Sequence, residues 1–152
     1  MTTVLSDEID VLAKAKHALG PEYTPGEDED YMSHKQLDYF RQLLTEWKRL
    51  ILSASAGTLQ SLQDGPIREP DLNDRASSET DWGIELRTRD RQRKLISKIE
   101  SALRRIDEGE YGYCEVTGDP IGIRRLIARP IATMTVEAQE AHERREKISR
   151  DD

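Results

Sequence analysis

The sequence predicts a mainly α-helical protein organised around one long antiparallel coiled-coil hairpin on a small globular base. Three observations predict it. Two long segments carry apolar residues at alternating steps of three and four, the spacing of a coiled-coil seam. A short turn bearing Gly65-Pro66 and Pro70 joins them, and segments of similar length joined this way fold back on each other. Charged residues make up 35% of the 152-residue chain against 36% hydrophobic, with a single Phe, which suits solvated helices that each bury one stripe.

Taken in order, residues 1–32 form an N-terminal segment expected to pack with the base. A short amphipathic helix is expected after Ser6, with Asp7 and Glu8 near its positive end. Gly20-Pro21, Pro25-Gly26 and the acidic run Glu27–Asp30 then make a polar connection. Residues 33–108 form the hairpin. Ser33-His34-Lys35-Gln36 has the spacing of a capping box, in which the Ser side chain accepts from the Gln36 N–H and Gln36 reaches back. Leu37, Phe40, Leu44, Trp47, Ile51, Ala54 and Thr58 continue the seam, which weakens toward Ser61. About thirty helical residues span roughly 45 Å, the length of an arm. The second arm is expected from about Ser77 to Glu108, with Leu95, Ile99, Ala102 and Ile106 on its seam and Gly109 as C-cap. Residues 109–152 are turn-rich around Tyr111–Cys114 and Gly118–Ile123, read as short strands or turns. A polar helix from Thr135 to about Ser149 follows.

Composition narrows the function. A formal net charge of −7 argues against general wrapping of nucleic acid, although local basic faces remain open. One cysteine excludes an intramolecular disulfide framework. No apolar run is long enough for a membrane span and no leader is visible, so the expected location is cytoplasmic. The hairpin tip, residues 65–76, carries Asp71 and Asp74, two carboxylates three positions apart. The bland account makes Asp74 or Ser77 a helix cap and Asp71 a turn residue; the functional one makes the pair a charged tip built to reach a partner. Arg87, Arg89, Arg91, Arg93, Lys94 and Lys98 crowd the second arm, either as a solvated face or as a docking surface for an acidic partner.

Several ordered motifs together resemble one family. Asp71-x-x-Asp74-x-Ala76, Arg87-x-Arg89-Asp90-Arg91-x-Arg93-Lys94-Leu95-Ile96, Tyr111-Gly112-Tyr113-Cys114-Glu115, and Ile121-Gly122-Ile123-Arg124-Arg125-Leu126-x-Ala128-Arg129-Pro130 look like the DksA family of bacterial RNA polymerase-binding transcription regulators. The resemblance runs in register from about Pro25 to the C-terminus. It implies a regulator without catalysis, acting as a monomer in the cytoplasm and making no sequence-specific DNA contact. Its coiled coil enters the polymerase secondary channel and alters initiation at sensitive promoters, such as those for ribosomal RNA. Asp71, Asp74 and Ala76 would be tip determinants, and Arg87 and Arg91 would face the β′ subunit at the channel rim. Guanosine tetraphosphate (ppGpp), the co-effector of the stringent response, would meet Leu95, Lys98, Arg129 and Gln139, cations being what a phosphate-rich ligand requires.

The chain departs from the family pattern in three places. The family carries two Cys-x-x-Cys pairs separated by seventeen residues; the matching positions here are Cys114, Thr117, Thr135 and Ala138. One thiolate, two hydroxyls and a methyl do not make a tetrahedral zinc site, so the region is a degenerate zinc finger expected to hold no metal, with Tyr113, Ile121, Ile131, Met134 and Val136 as candidate replacement packing. Gln139 stands where the nucleotide site commonly has Lys, and Thr88 where Asn is usual. Three other functions compete with this one: a redox-sensing regulator through Cys114, a magnesium enzyme using Asp71 and Asp74, and a coiled-coil adaptor. A lone thiol lacks a resolving partner, and an exposed pair of Asp lacks a water-excluding pocket and a base.

Overall fold

The structure, a computed structural model, describes residues 3–64 and 72–151, with side-chain environments for 10–54 and 79–149. Five helices follow in chain order: α1 (Thr3–Ala18), α2 (His34–Asp64), α3 (Leu72–Glu108), α4 (Ile123–Ala128) and α5 (Val136–Asp151). Among the described residues there is no strand, only one isolated antiparallel bridge between Tyr113 and Pro120. The mainly helical class is therefore as expected. No described helix is long and apolar enough to cross a membrane.

Arg41, early on α2, ion-pairs with Asp107, at the end of α3, at 2.7 Å, so the two long helices run antiparallel. Their seam is the one the spacing predicts: Phe40, Leu44, Trp47 and Ile51 on α2 and Leu95, Ile99, Ala102 and Ile106 on α3 are all buried. Burial stops sooner on α2 than expected, since Ala54 is exposed and Leu52 is 49% exposed. Leu43, off the three-four progression, is fully buried as well, which widens the α2 stripe.

Two helices begin elsewhere than expected. The first starts at Thr3, ahead of Ser6, and ends before Gly20, whose φ of +83° turns the chain into Pro21. The third starts at Leu72, about five residues before Ser77. Asp74 and Ala76 thus stand inside α3 rather than on a turn, and neither Asp74 nor Ser77 is its cap. Asp71 and the rest of the turn, residues 65–71, lie outside the described residues. At the other end, Gly109 closes α3 as the spacing predicts: its φ is +76°, its N–H meets Ile106 O at 3.2 Å and the Glu110 N–H meets Arg105 O at 2.8 Å. This paired closure is the Schellman arrangement.

The chain forms two compact units, one of Met1–Gly20 with Thr45–Ile99 and one of Pro21–Leu44 with Glu100–Asp152. In the first, Leu12 and Ala15 of α1 join Trp47, Ile51, Leu95 and Ile99 as the buried residues. In the second, Phe40, Leu43 and Leu44 are buried with Ala102, Ile106, Tyr111, Ile121, Ile123 and Leu126. The Phe40 ring packs at 5.5 Å from that of Tyr111.

The acidic connection belongs to the second unit and is closely tied. Glu29 accepts from the Gly26 N–H and from the Tyr23 hydroxyl, both at 2.8 Å. Gln36, completely buried, donates to Gly26 O at 3.1 Å and accepts from the Met32 N–H at 2.7 Å. Only half of the expected capping box forms. The Gln36 N–H meets Ser33 Oγ at 3.3 Å, but the Gln36 side chain serves Met32 and Gly26 instead of reaching back to Ser33. A side chain that closes a loop this way satisfies two main-chain groups that burial would otherwise leave unpaired.

Burial of its tyrosines makes this unit sensitive to alkali. Burial first, then the bond to Glu29, raises the Tyr23 phenol to about 12, and burial also raises Tyr31, Tyr39 and Tyr111. A phenol that keeps its proton longer when folded stabilises the fold below its unfolded pKa of about 10, and that contribution disappears as pH climbs toward the folded value. Far-ultraviolet circular dichroism and phenolate absorbance, followed from neutral pH upward, should show one coincident transition well above pH ~10. Independent ionisation of these tyrosines near pH ~10 with the helices intact would contradict it.

Candidate functional site

Two regions carry most of the described residues that the family resemblance assigns to function: α3 with its exposed face, and the segment from the end of α3 into α5. On α3, Asp90 accepts from Arg93 one turn on and pairs with Lys94 at 3.7 Å. Part of the basic run is therefore a solvated, internally paired face. Arg87 and Arg91, four positions apart on one face, are exposed and make no ion pair among the described residues. Lys98 is likewise exposed and unpaired among them. A helix with internal partners for some cations and none for others leaves the second group available to an external anion.

The four residues that the resemblance assigns to nucleotide divide between the units. Leu95 and Lys98 stand in the first, Leu95 on the buried seam at 8% exposure and Lys98 outside it. Arg129 and Gln139 stand in the second. Arg129 closes α4, its N–H meeting Arg125 O at 2.7 Å, and its side chain is exposed. Gln139 donates to Glu143 at 3.1 Å along α5.

The turn-built segment is fastened from several directions. Cys114 N–H donates to Asp119 O at 2.7 Å and Gly118 N–H returns to Cys114 O at 2.9 Å, closing a tight turn. Glu115 N–H donates to Thr133 O at 2.8 Å, which joins that turn to the residues before α5. At the head of α5, Thr135 Oγ1 accepts the Ala138 N–H at 3.2 Å, a helix N-cap bond. The four positions of the degenerate finger are thereby placed: Cys114, Thr135 and Ala138 are buried and Thr117 is exposed. Thr135 Oγ1 lies 4.0 Å from Cys114 Sγ, and Thr117 Oγ1 accepts the Asp119 N–H at 3.2 Å.

Burial pushes the Cys114 thiol up, but the Thr117 hydroxyl and the N–H groups of Thr135, Thr117 and Val116 outweigh it and lower the thiol to about 6. Such donors aimed at sulfur are the arrangement that supports a metal-bound thiolate. The donor set does not complete it. Two hydroxyls and a methyl cannot join one sulfur in the tetrahedral N/S coordination zinc requires. His142 is engaged with Glu146 at 3.1 Å on α5, and no group of three or more His, Cys, Asp or Glu suited to a metal occurs among the described residues. Of the candidate packing residues, Ile121 is buried and Tyr113, Ile131 and Met134 are half-buried; Val136, 45% exposed, does not serve.

Local sequence did not indicate the side chains that fasten this segment. Tyr31, Arg105, Tyr111 and Arg125 each bond main-chain groups of the finger, at separations of up to 91 positions. Only Tyr31 had a local signal, as a ring in an otherwise acidic run just before the capping Ser33.

A two-helix coiled coil followed by a finger of turns with ligand positions at paired spacing defines a class, the coiled-coil proteins with a C4-type finger. Residues 36–106 match the family described as DnaK suppressor protein DksA, N-terminal domain, and residues 109–144 match the prokaryotic dksA/traR C4-type zinc finger. The chain is 62% identical over 131 residues to the RNA polymerase-binding transcription factor DksA of Caulobacter vibrioides, covering 86% of this chain and 92% of the relative. It is 43% identical over 119 residues to the protein of the same name from Escherichia coli K12, covering 78% and 79%. The solved transcription factor DksA2 from Pseudomonas aeruginosa superimposes with a TM-score of 0.71 at 41% identity, over 79% of this chain and 94% of that one. The chain belongs to the DksA family.

Proposed function

We propose that this chain regulates transcription initiation by binding RNA polymerase, without catalysing a reaction. The observation that carries this is the 62% identity, across 92% of its length, with a relative named as an RNA polymerase-binding transcription factor. In this reading the α2–α3 hairpin enters the secondary channel and brings Asp71, Asp74 and Ala76 near the polymerase active centre. Arg87 and Arg91 meet acidic groups of the β′ subunit at the channel rim; their exposure and their lack of an ion pair among the described residues support that role. Initiation complexes at ribosomal RNA promoters are destabilised. Guanosine tetraphosphate strengthens the effect, with Leu95, Lys98, Arg129 and Gln139 as the residues that the family resemblance assigns to it. The chain acts as a cytoplasmic monomer, makes no sequence-specific contact with DNA, and uses no zinc, because the donor set at Cys114, Thr117, Thr135 and Ala138 does not suit it.

Charge reversal on the exposed face tests the docking step. Arg87→Glu with Arg91→Glu should weaken binding to purified polymerase by about tenfold or more, since each reversal replaces an attraction with a like-charge contact. Thermal stability should stay close to that of the parent, because neither side chain is buried. Binding equal to the parent's in a titration of labelled chain against polymerase would remove these arginines from the interface.

A further inference from the structure

The finger has lost most of the donors of a metal site, and the geometry points to Tyr31 as the side chain that clasps it closed without a metal. The Tyr31 hydroxyl donates to Gly112 O at 2.6 Å and accepts the Gly122 N–H at 2.9 Å. Gly112 and Gly122 flank the Cys114 turn on either side, so one oxygen ties together the two chain segments that enter and leave it. The same pair of segments is joined by the Ile121 N–H donating to Gly112 O at 2.8 Å.

Gly112 is shaped for this contact. Its φ is +91°, and a Cβ there would fall 2.6 Å from Met32 Sδ and 3.3 Å from the Tyr31 hydroxyl oxygen. Only glycine lets the Met32–Tyr31 segment lie this close. The Tyr31 ring also packs edge-on against Tyr113 at 5.6 Å, which fixes the direction of the hydroxyl.

Three further side chains extend the clasp. Arg105 donates to Tyr113 O at 2.8 Å, Tyr111 donates to Pro130 O at 2.7 Å, and Arg125 donates to Met134 O at 2.9 Å. Together they fix the main chain on both sides of the Cys114 turn.

With Zn–S bonds of about 2.3 Å, the sulfurs of a tetrahedral site stand about 3.8 Å apart. Cys114 Sγ and Thr135 Oγ1, at two of the four positions, are 4.0 Å apart. That one pair of positions therefore keeps the spacing of two ligands in a zinc site.

The full-length chain tests this in three arms. The parent should unfold at the same temperature with chelator, with added zinc and with neither. Tyr31→Phe, which removes one oxygen and keeps the ring contact, should remain helical and lose about 2–6 °C in Tm. Amide exchange at Gly122 should accelerate in that variant. In a chain carrying Thr117→Cys, Thr135→Cys and Ala138→Cys, cobalt should develop thiolate charge-transfer absorption, and zinc should restore the Tm that Tyr31→Phe removes in that background. A parent that loses Tm in chelator, a Tyr31→Phe chain with parental Tm and parental Gly122 exchange, or a triple-cysteine chain without cobalt absorption would each overturn the proposal.

Discussion

Asp74→Asn should abolish most of the inhibition of a ribosomal RNA promoter while leaving polymerase binding largely intact. The substitution keeps the shape of the side chain and removes one unit of charge. Over about 8 Å, at an effective dielectric of about 20, a unit charge acting on another is worth about 2 kcal/mol, which corresponds to roughly a thirtyfold change in an equilibrium. A carboxylate near a magnesium-dependent centre acts on the ion or on the mobile elements around it by this field. Affinity is different: in the proposed docking mode it comes from the contact area along the helices and from charges such as those of Arg87 and Arg91, which the substitution does not touch. Since α3 opens at Leu72, Asp74 stands within that helix. Single-round transcription at matched occupancy of polymerase measures the effect. Full inhibition by the variant would show that charge at position 74 is not the active principle.

Phe40→Ala should have the largest effect on stability. Phe40 is completely buried, and its ring touches those of Tyr39 and Tyr111 at 5.3 and 5.5 Å. Truncating a buried Phe costs about 3–5 kcal/mol, the lost transfer energy plus the cavity left behind. For a chain of this length that is a fall of about 10 °C or more in Tm. Tyr111 also donates to Pro130 O, so the cavity loosens the support of the segment leading to α5. Calorimetry should show the loss, and Phe40→Leu, which keeps much of the apolar volume, should recover more than half of it. A fall of only a degree or two would mean that the surroundings of Phe40 collapse freely, contrary to the packing described.

The seam was legible because a period of three and four residues survives any local irregularity. Every α3 position it named is buried. Gly109 was equally legible, since a helix end that needs positive φ leaves glycine as its mark. The start of α3 was not. Asn73, Asp74, Ser77 and Ser78 favour turns and caps, yet near a helix N-terminus Asp and Ser are also well tolerated, so the same residues fit both structures. Helix α4 was missed because six residues are too few to show a period, and Ile121-Gly122-Ile123 alternates as a strand would. The finger's ligand positions were legible only through spacing shared with the family. The bonds its fasteners make were not legible, because they run from side chain to main chain, as from Tyr31 to Gly122 across 91 positions, and such pairings leave no periodic pattern.

The central claim, that the hairpin end comes to lie beside the catalytic centre of polymerase, is tested most directly by a photoreactive amino acid placed at position 74. Irradiation of the chain in complex with purified holoenzyme should yield a crosslink to the β′ subunit, mapping close to the residues that hold the catalytic magnesium. The crosslink should weaken when Arg87 and Arg91 are reversed to Glu. A crosslink confined to promoter DNA, or to the outer surface of the enzyme, would contradict the account.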